Sequence, residues 1–119
     1  MNDYMLLIAE PRGQRAERTL DEGKAAFARM ERFAADLQGR GVLKSFGSLL
    51  TDDQGLRVQV RGGQPCLVDG PFSEAKEMIG GYFLVECETR EQAAAIAAQC
   101  PAAEWATVEV RPAGPCYVR

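Results

Sequence analysis

Histidine is missing from all 119 residues, and its absence removes whole reaction classes. Ser-His-Asp and Cys-His nucleophiles, the H-E-x-x-H zinc site and any imidazole general base are excluded together. The four cysteines, Cys66, Cys87, Cys100 and Cys116, stand singly, without the C-x-x-C pairs of zinc ribbons or thioredoxin-like sites. They read as small core or turn residues, and no metal or cofactor is expected. Apolar runs stay far short of the ~18 residues of a membrane-spanning helix. Met1-Asn2-Asp3-Tyr4 enters an apolar stretch with no basic segment or cleavage site before it, which gives a cytoplasmic expectation. Positive charge is also scarce: 14 Lys+Arg stand against 17 Asp+Glu, a net charge of -3, and no basic cluster is interleaved with aromatics. Neither nucleic acid nor a membrane surface is an expected partner.

What remains is an ordinary globular composition, 46% hydrophobic and 26% charged. A chain of this length supports one core, so residues 1–119 read as a single domain.

Tyr4–Ala9 (YMLLIA) is an unbroken apolar run closed by Glu10-Pro11, the pattern of a strand apolar on both faces. Pro11–Arg18 reads as a loop. Thr19-Leu20-Asp21-Glu22 has the form of a capping box, and the helix it opens carries Leu20, Phe27, Met30, Phe33, Ala34 and Leu37 on one stripe. Gly39 and Gly41 end it, and a second strand runs from Val42 to about Leu50, with Gly47 marking a bend. Leu56, Val58 and Val60 alternate with Arg57, Gln59 and Arg61, then Gly62-Gly63 turns the chain back through Gln64–Val68: a hairpin with one wet face. Asp69-Gly70-Pro71 breaks it, and Phe72–Gly80 reads as a polar connection with room for one helical turn. Gly81–Cys87 is a further apolar strand, Thr89–Gln92 a second capping box for an alanine-rich helix that Pro101 stops, and Trp105–Arg111 a last alternating strand.

Strand, helix, strand, hairpin, strand, helix, strand is the ferredoxin-like split β-α-β plan with an added β-hairpin, an α+β fold. Right-handed crossovers put both helices on one face of a mainly antiparallel sheet. Yet Tyr4–Ala9 and Gly81–Leu84 are apolar on both sides, so the second face needs a cover. A second copy of the sheet supplies one and makes a homodimer; the alternative is that Phe72–Gly80 and the C-terminal tail fold over it.

Thr107, Glu109 and Arg111 point away from Ala106, Val108 and Val110. They then line either the dimer interior, as part of a small-molecule site, or simply the wet rim. Asp69, Lys76, Glu77 and Tyr82 are the acid-base candidates, since without histidine a proton must move through a carboxylate, a lysine or a tyrosine. The competing reading of Asp69-Gly70-Pro71 is turn chemistry. Candidate ligand-binding residues are Asp69, Phe72, Lys76, Tyr82, Glu109 and Arg111.

Asp69-Gly70-Pro71-Phe72, continued by Ser73-Glu74-Ala75-Lys76-Glu77 and Gly80-Gly81-Tyr82, resembles the DGPF-domain branch of the YCII-related family. The likeness extends to Tyr4-Met5-Leu6-Leu7-Ile8, Cys100-Pro101-Ala102-Ala103 and Val108-Glu109-Val110-Arg111-Pro112. It implies a dimeric α+β barrel similar to muconolactone isomerase. The family's better described branch has a His-Asp pair suggested as catalytic, which a chain without histidine cannot share. Two functions remain open: a small-molecule-binding homodimer, including a histidine-independent enzyme, or a non-enzymatic regulatory protein associated with an extracytoplasmic-function sigma factor, as the branch's genomic neighbourhood implies. For such a partner, Arg57, Gln59 and Arg61 form the candidate face.

Overall fold

Parity along the first apolar run decides which side of the sheet is sealed. In the computed structural model, which describes residues 1–72 and 74–119, strand β1 spans Asn2–Pro11 and buries Tyr4, Leu6 and Ile8 while Met5 and Leu7 are only half-buried. Strand β5 (Glu77–Cys87) repeats the pattern: Phe83, Val85 and Cys87 are buried, Tyr82, Leu84 and Glu86 half-buried. With β2 (Leu43–Ser48) and β6 (Thr107–Pro112) they form one sheet in the order β2-β5-β1-β6. Every pairing is antiparallel. Leaving out the hairpin, this is the ferredoxin-like order, in which each helix carries the chain past one intervening strand.

Both helices cover the same face. Helix α1 (Leu20–Gly39) contributes Phe33, Ala34 and Leu37 to the core, and α2 (Arg90–Gln99) contributes Ala93, Ile96 and Ala97. Each starts with a complete capping box. Thr19 Oγ1 accepts from Glu22 N at 3.1 Å while Glu22 accepts from Thr19 N at 2.9 Å, and Thr89 and Gln92 do the same for α2. Such a cap contributes about 1 kcal/mol. Phe33 meets Phe83 edge-on, with ring centroids 5.1 Å apart, and so fastens α1 to the centre of the sheet.

Several sequence expectations need correction. Leu20 and Phe27 share the apolar phase of α1 but are 72% and 51% exposed. The fully buried residues of α1 all lie in its C-terminal half, and periodicity shows which stripe is apolar, not how far along the helix the sheet extends. Strand β1 continues through Glu10 to Pro11, because a register shift at Ile8/Ala9 lets it go on pairing with Met78 and Glu77. Glu77–Gly80 is therefore strand, not connection. The helical turn expected over Phe72–Gly80 includes Ser73, which lies outside the described residues; Ala75 N does bond Phe72 O at 3.0 Å. Gly47 is no bend: it pairs with Tyr82, and a Cβ there would stand 2.8 Å from the Tyr82 ring, so the glycine makes room for that ring. β2 ends at Ser48, and Trp105 closes the 3-10 turn Pro101–Glu104 instead of opening β6.

The hairpin forms as read, with β3 (Leu56–Arg61) and β4 (Gln64–Asp69) in the register Arg61↔Gln64 around Gly62-Gly63, both at positive φ. It is a sheet of its own, however, and every residue of both strands is exposed. Its Leu56, Val58 and Val60 side is as wet as its arginine side. The resulting molecule is a slab 20 Å thick, with a radius of gyration of 16.1 Å against about 13.5 Å for a compact chain of this length.

Candidate functional site

Where α1 fails to seal against the sheet, a cavity of about 440 Å³ opens between them. Its walls are apolar: Ile8 from β1, Phe27 and Met30 from α1, Phe46 from β2 and Phe83 from β5, with Trp105 at one end. Phe46 stacks on Phe83 with centroids 6.0 Å apart and planes 10° from parallel, which makes a flat aromatic wall.

One end of this cavity is ionic. Glu10 lies in phase with Tyr4, Leu6 and Ile8, so the strand aims it at the helix side, where its side chain is 7% exposed. A carboxylate so placed needs a cation. Arg15, in the short 3-10 turn Arg15–Glu17, supplies one in a forked contact: Nε donates to Oε2 at 2.9 Å and Nη2 to Oε1 at 2.6 Å, and Nη1 donates to the Leu49 carbonyl at 2.8 Å. Arg18 also lines the cavity. Its guanidinium is 5.4 Å from the centroid of the Trp105 ring, and Nη2 donates to Gln14 Oε1 at 3.1 Å. Gln14 in turn donates through Nε2 to the Trp105 carbonyl at 2.7 Å, so one amide fixes both partners. Arg29, itself paired with Glu104, also lies over the Trp105 ring, 5.5 Å from its centroid.

The residues singled out from sequence lie elsewhere, in two groups. Tyr82, Glu109 and Arg111 share the open face of the sheet. Tyr82 and Glu109 flank Leu7 in one cross-strand row, and Arg111 pairs with Glu109 at 3.2 Å, both exposed. Asp69, Phe72, Lys76 and Glu77 gather instead at the root of the hairpin. Asp69 ends β4 opposite Leu56, Phe72 lies under the Arg57 guanidinium at 3.8 Å, and Lys76 is exposed beside Glu77, which opens β5. None of the seven lines the cavity.

The hairpin root is held by a pair that sequence reading passed over. Arg12 Nη1 and Nη2 donate to the two oxygens of Asp52 at 2.7 and 2.6 Å, and Nε donates to the Ala75 carbonyl at 2.8 Å. This forked bond is the main reason the Asp52 carboxyl is held below the ordinary carboxylate range. Burial, in contrast, pushes the Cys100 and Cys87 thiols up. Among the described residues no three His, Cys, Asp or Glu side chains gather as a metal site would require, and no helix is long and apolar enough to cross a membrane.

Of the cavity residues, Glu10 and Arg18 left a usable trace in the sequence. Counting parity past Ile8 puts Glu10 on the sealed face, although Glu10-Pro11 looks like the end of a strand. Arg18 stands just before the capping box. Arg15 and Trp105 carry no local signal, because their places are set by contacts across the fold.

Two helices on one face of a four-stranded antiparallel sheet, with a projecting hairpin and a cavity beneath the longer helix, define a small ferredoxin-like α+β protein. The YCII-related domain family model matches residues 4–115, and the chain belongs to that family. A search of curated proteins finds no match.

Proposed function

We propose that the protein is a small-molecule-binding homodimer of the DGPF branch, with its ligand in the cavity between α1 and the sheet. The observation that carries this reading is the cavity itself: apolar and aromatic walls, a few convergent polar groups and a volume within the usual range of ligand sites. The branch assignment rests on Asp69-Gly70-Pro71-Phe72, at the exit of the hairpin.

The dimer rests on area. A compact monomer of 13.0 kDa exposes about 6,300 Å², whereas this chain exposes 8208 Å². The excess of about 1,900 Å² is more than twice the ~800 Å² that each partner buries in a standard interface. It is accounted for by the hairpin and by an open sheet face carrying Met5, Leu7 and Leu84. A second copy, with the same two unpartnered apolar surfaces, is the occupant that satisfies both.

A metabolite screen by thermal shift tests the site. A ligand present at about 100 times its Kd adds about 2.7 kcal/mol. Ala26→Trp, which fills the cavity from the half-buried side of α1 that lines it, is expected to abolish the response, while Arg111→Ala leaves it intact. The opposite pattern would move the site to the open face beside Tyr82 and Glu109. Silence across a broad library would defeat the binding reading altogether.

A further inference from the structure

The cavity's charges identify the class of molecule it takes. Four ionic groups border it: Glu10, Arg15, Arg18 and Glu31. Glu10 and Arg15 are closed on each other, with both carboxylate oxygens and the guanidinium Nε and Nη2 engaged, and they present no net charge to a ligand. Glu31 is exposed at the rim, where water screens it. Arg18 differs from all three. It is half-buried and stacked on Trp105, and among the described residues no carboxylate lies within ion-pairing distance of it. Glu22 feels its field without contact. Among the described residues its one side-chain hydrogen-bond partner is the neutral Gln14 amide, which takes a single N–H and leaves the rest of the guanidinium fork open.

A partly desolvated cation, held by Gln14 and Trp105 in the lining of an apolar, aromatic-walled space, is complementary to one kind of molecule. Resting on the cavity reading above, we infer that the ligand is an amphipathic anion: a carboxylate or similar head bound by Arg18, with an aliphatic or aromatic body against Phe27, Met30, Phe46 and Phe83. Gln14 positions Arg18 by holding it to the Trp105 backbone. The guanidinium recognises the head through charge-assisted, forked hydrogen bonds that water competes with poorly at a half-buried site.

Trp105 is the single tryptophan of the chain and sits on the cavity wall, so its emission reports occupancy directly. Octanoate, octanol and octylammonium share one body and differ in the head. Titrated at neutral pH, with thermal shift as a second readout, octanoate is expected to bind about tenfold more tightly than octanol, and octylammonium more weakly than either. Arg18→Gln is expected to bring octanoate down to octanol without changing octanol's affinity, and Arg18→Lys to retain part of the preference. Equal binding of octanoate and octanol, or a preference for octylammonium, would overturn the anion assignment while leaving the cavity reading intact. If none of the three perturbs Trp105 or the melting temperature, the anion assignment falls, and the cavity reading falls with it only if the metabolite library is silent as well.

Discussion

The carboxylate of Glu10 occupies the space that a side chain on Gly80 would need. A Cβ at Gly80 would stand 2.8 Å from both Glu10 Cδ and Arg15 Nη2, and nearer still to Glu10 Oε1. Strand β5 therefore has no side chain at the one place where β1 turns a charged group inward. Gly80→Ala is expected to displace the forked ion pair and to destabilise the protein by about 2 kcal/mol, read as a lower denaturant midpoint. Ligand affinity should fall with it, because Arg15 and Glu10 form one end of the cavity.

Acid should loosen the hairpin root first. Arg12 holds the Asp52 carboxyl below its ordinary range, so the folded value is lower than the unfolded one. The stability this pair contributes is complete above the unfolded carboxylate range, about pH 4, and is lost as the pH falls through the lower folded value. The hydrogen-exchange protection factor of the Phe72 amide, which donates to Asp52 Oδ2 at 3.4 Å, taken relative to the intrinsic rate at each pH, is expected to fall on acidification ahead of those in the core of β1. Asp52→Asn should make that protection factor nearly independent of pH, and Arg12→Lys should not restore the forked geometry.

Leu84 is expected to be an interface residue. It is half-buried on the open face beside Met5, so Leu84→Glu should carry the sedimentation mass from that of a dimer to the 13.0 kDa of one chain. A wild-type protein that already sediments as a single chain at dilute concentration, or one retained only with a different protein on this face, would remove the twofold assembly.

The thiols should divide in two. Cys66 and Cys116 are exposed, whereas Cys87 and Cys100 are buried with their thiols pushed up by burial. In native buffer a disulfide exchange reagent is expected to modify the first pair rapidly and the second only on unfolding. Fast reaction of all four would show that α2 does not hold Cys100 against Met30, which lies 3.9 Å away, sulfur to sulfur.

Sequence and structure agree where local chemistry decides. Thr19 with Glu22, and Thr89 with Gln92, fix the starts of both helices by bonds within one turn. Gly62-Gly63 fixes the hairpin because the turn requires positive φ at both residues. The placement of both helices on one face followed from the right-handedness of the crossovers. Legibility failed where the answer depended on distances between elements. Nothing local shows that α1 seals only near Phe33 and Leu37, so Phe27 looked like core and the space beneath it could not be foreseen. The same holds for Arg15 and Trp105, and for their convergence with Glu10 and Arg18 from β1, the connection after it and the turn after α2. Asp69, Lys76 and Glu109 are polar residues conspicuous in the sequence that the fold keeps apart from the cavity.

Pairing of β1 with β6 joins Tyr4 to Pro112 and Ala9 to Thr107. Within this domain the first strand thus waits for the last before its outer edge is satisfied. Until then its apolar face and free backbone groups are open to other nascent chains, and such long-range closure slows folding. Growth temperature and chaperone supply should therefore govern the soluble yield of this protein more than its final stability does.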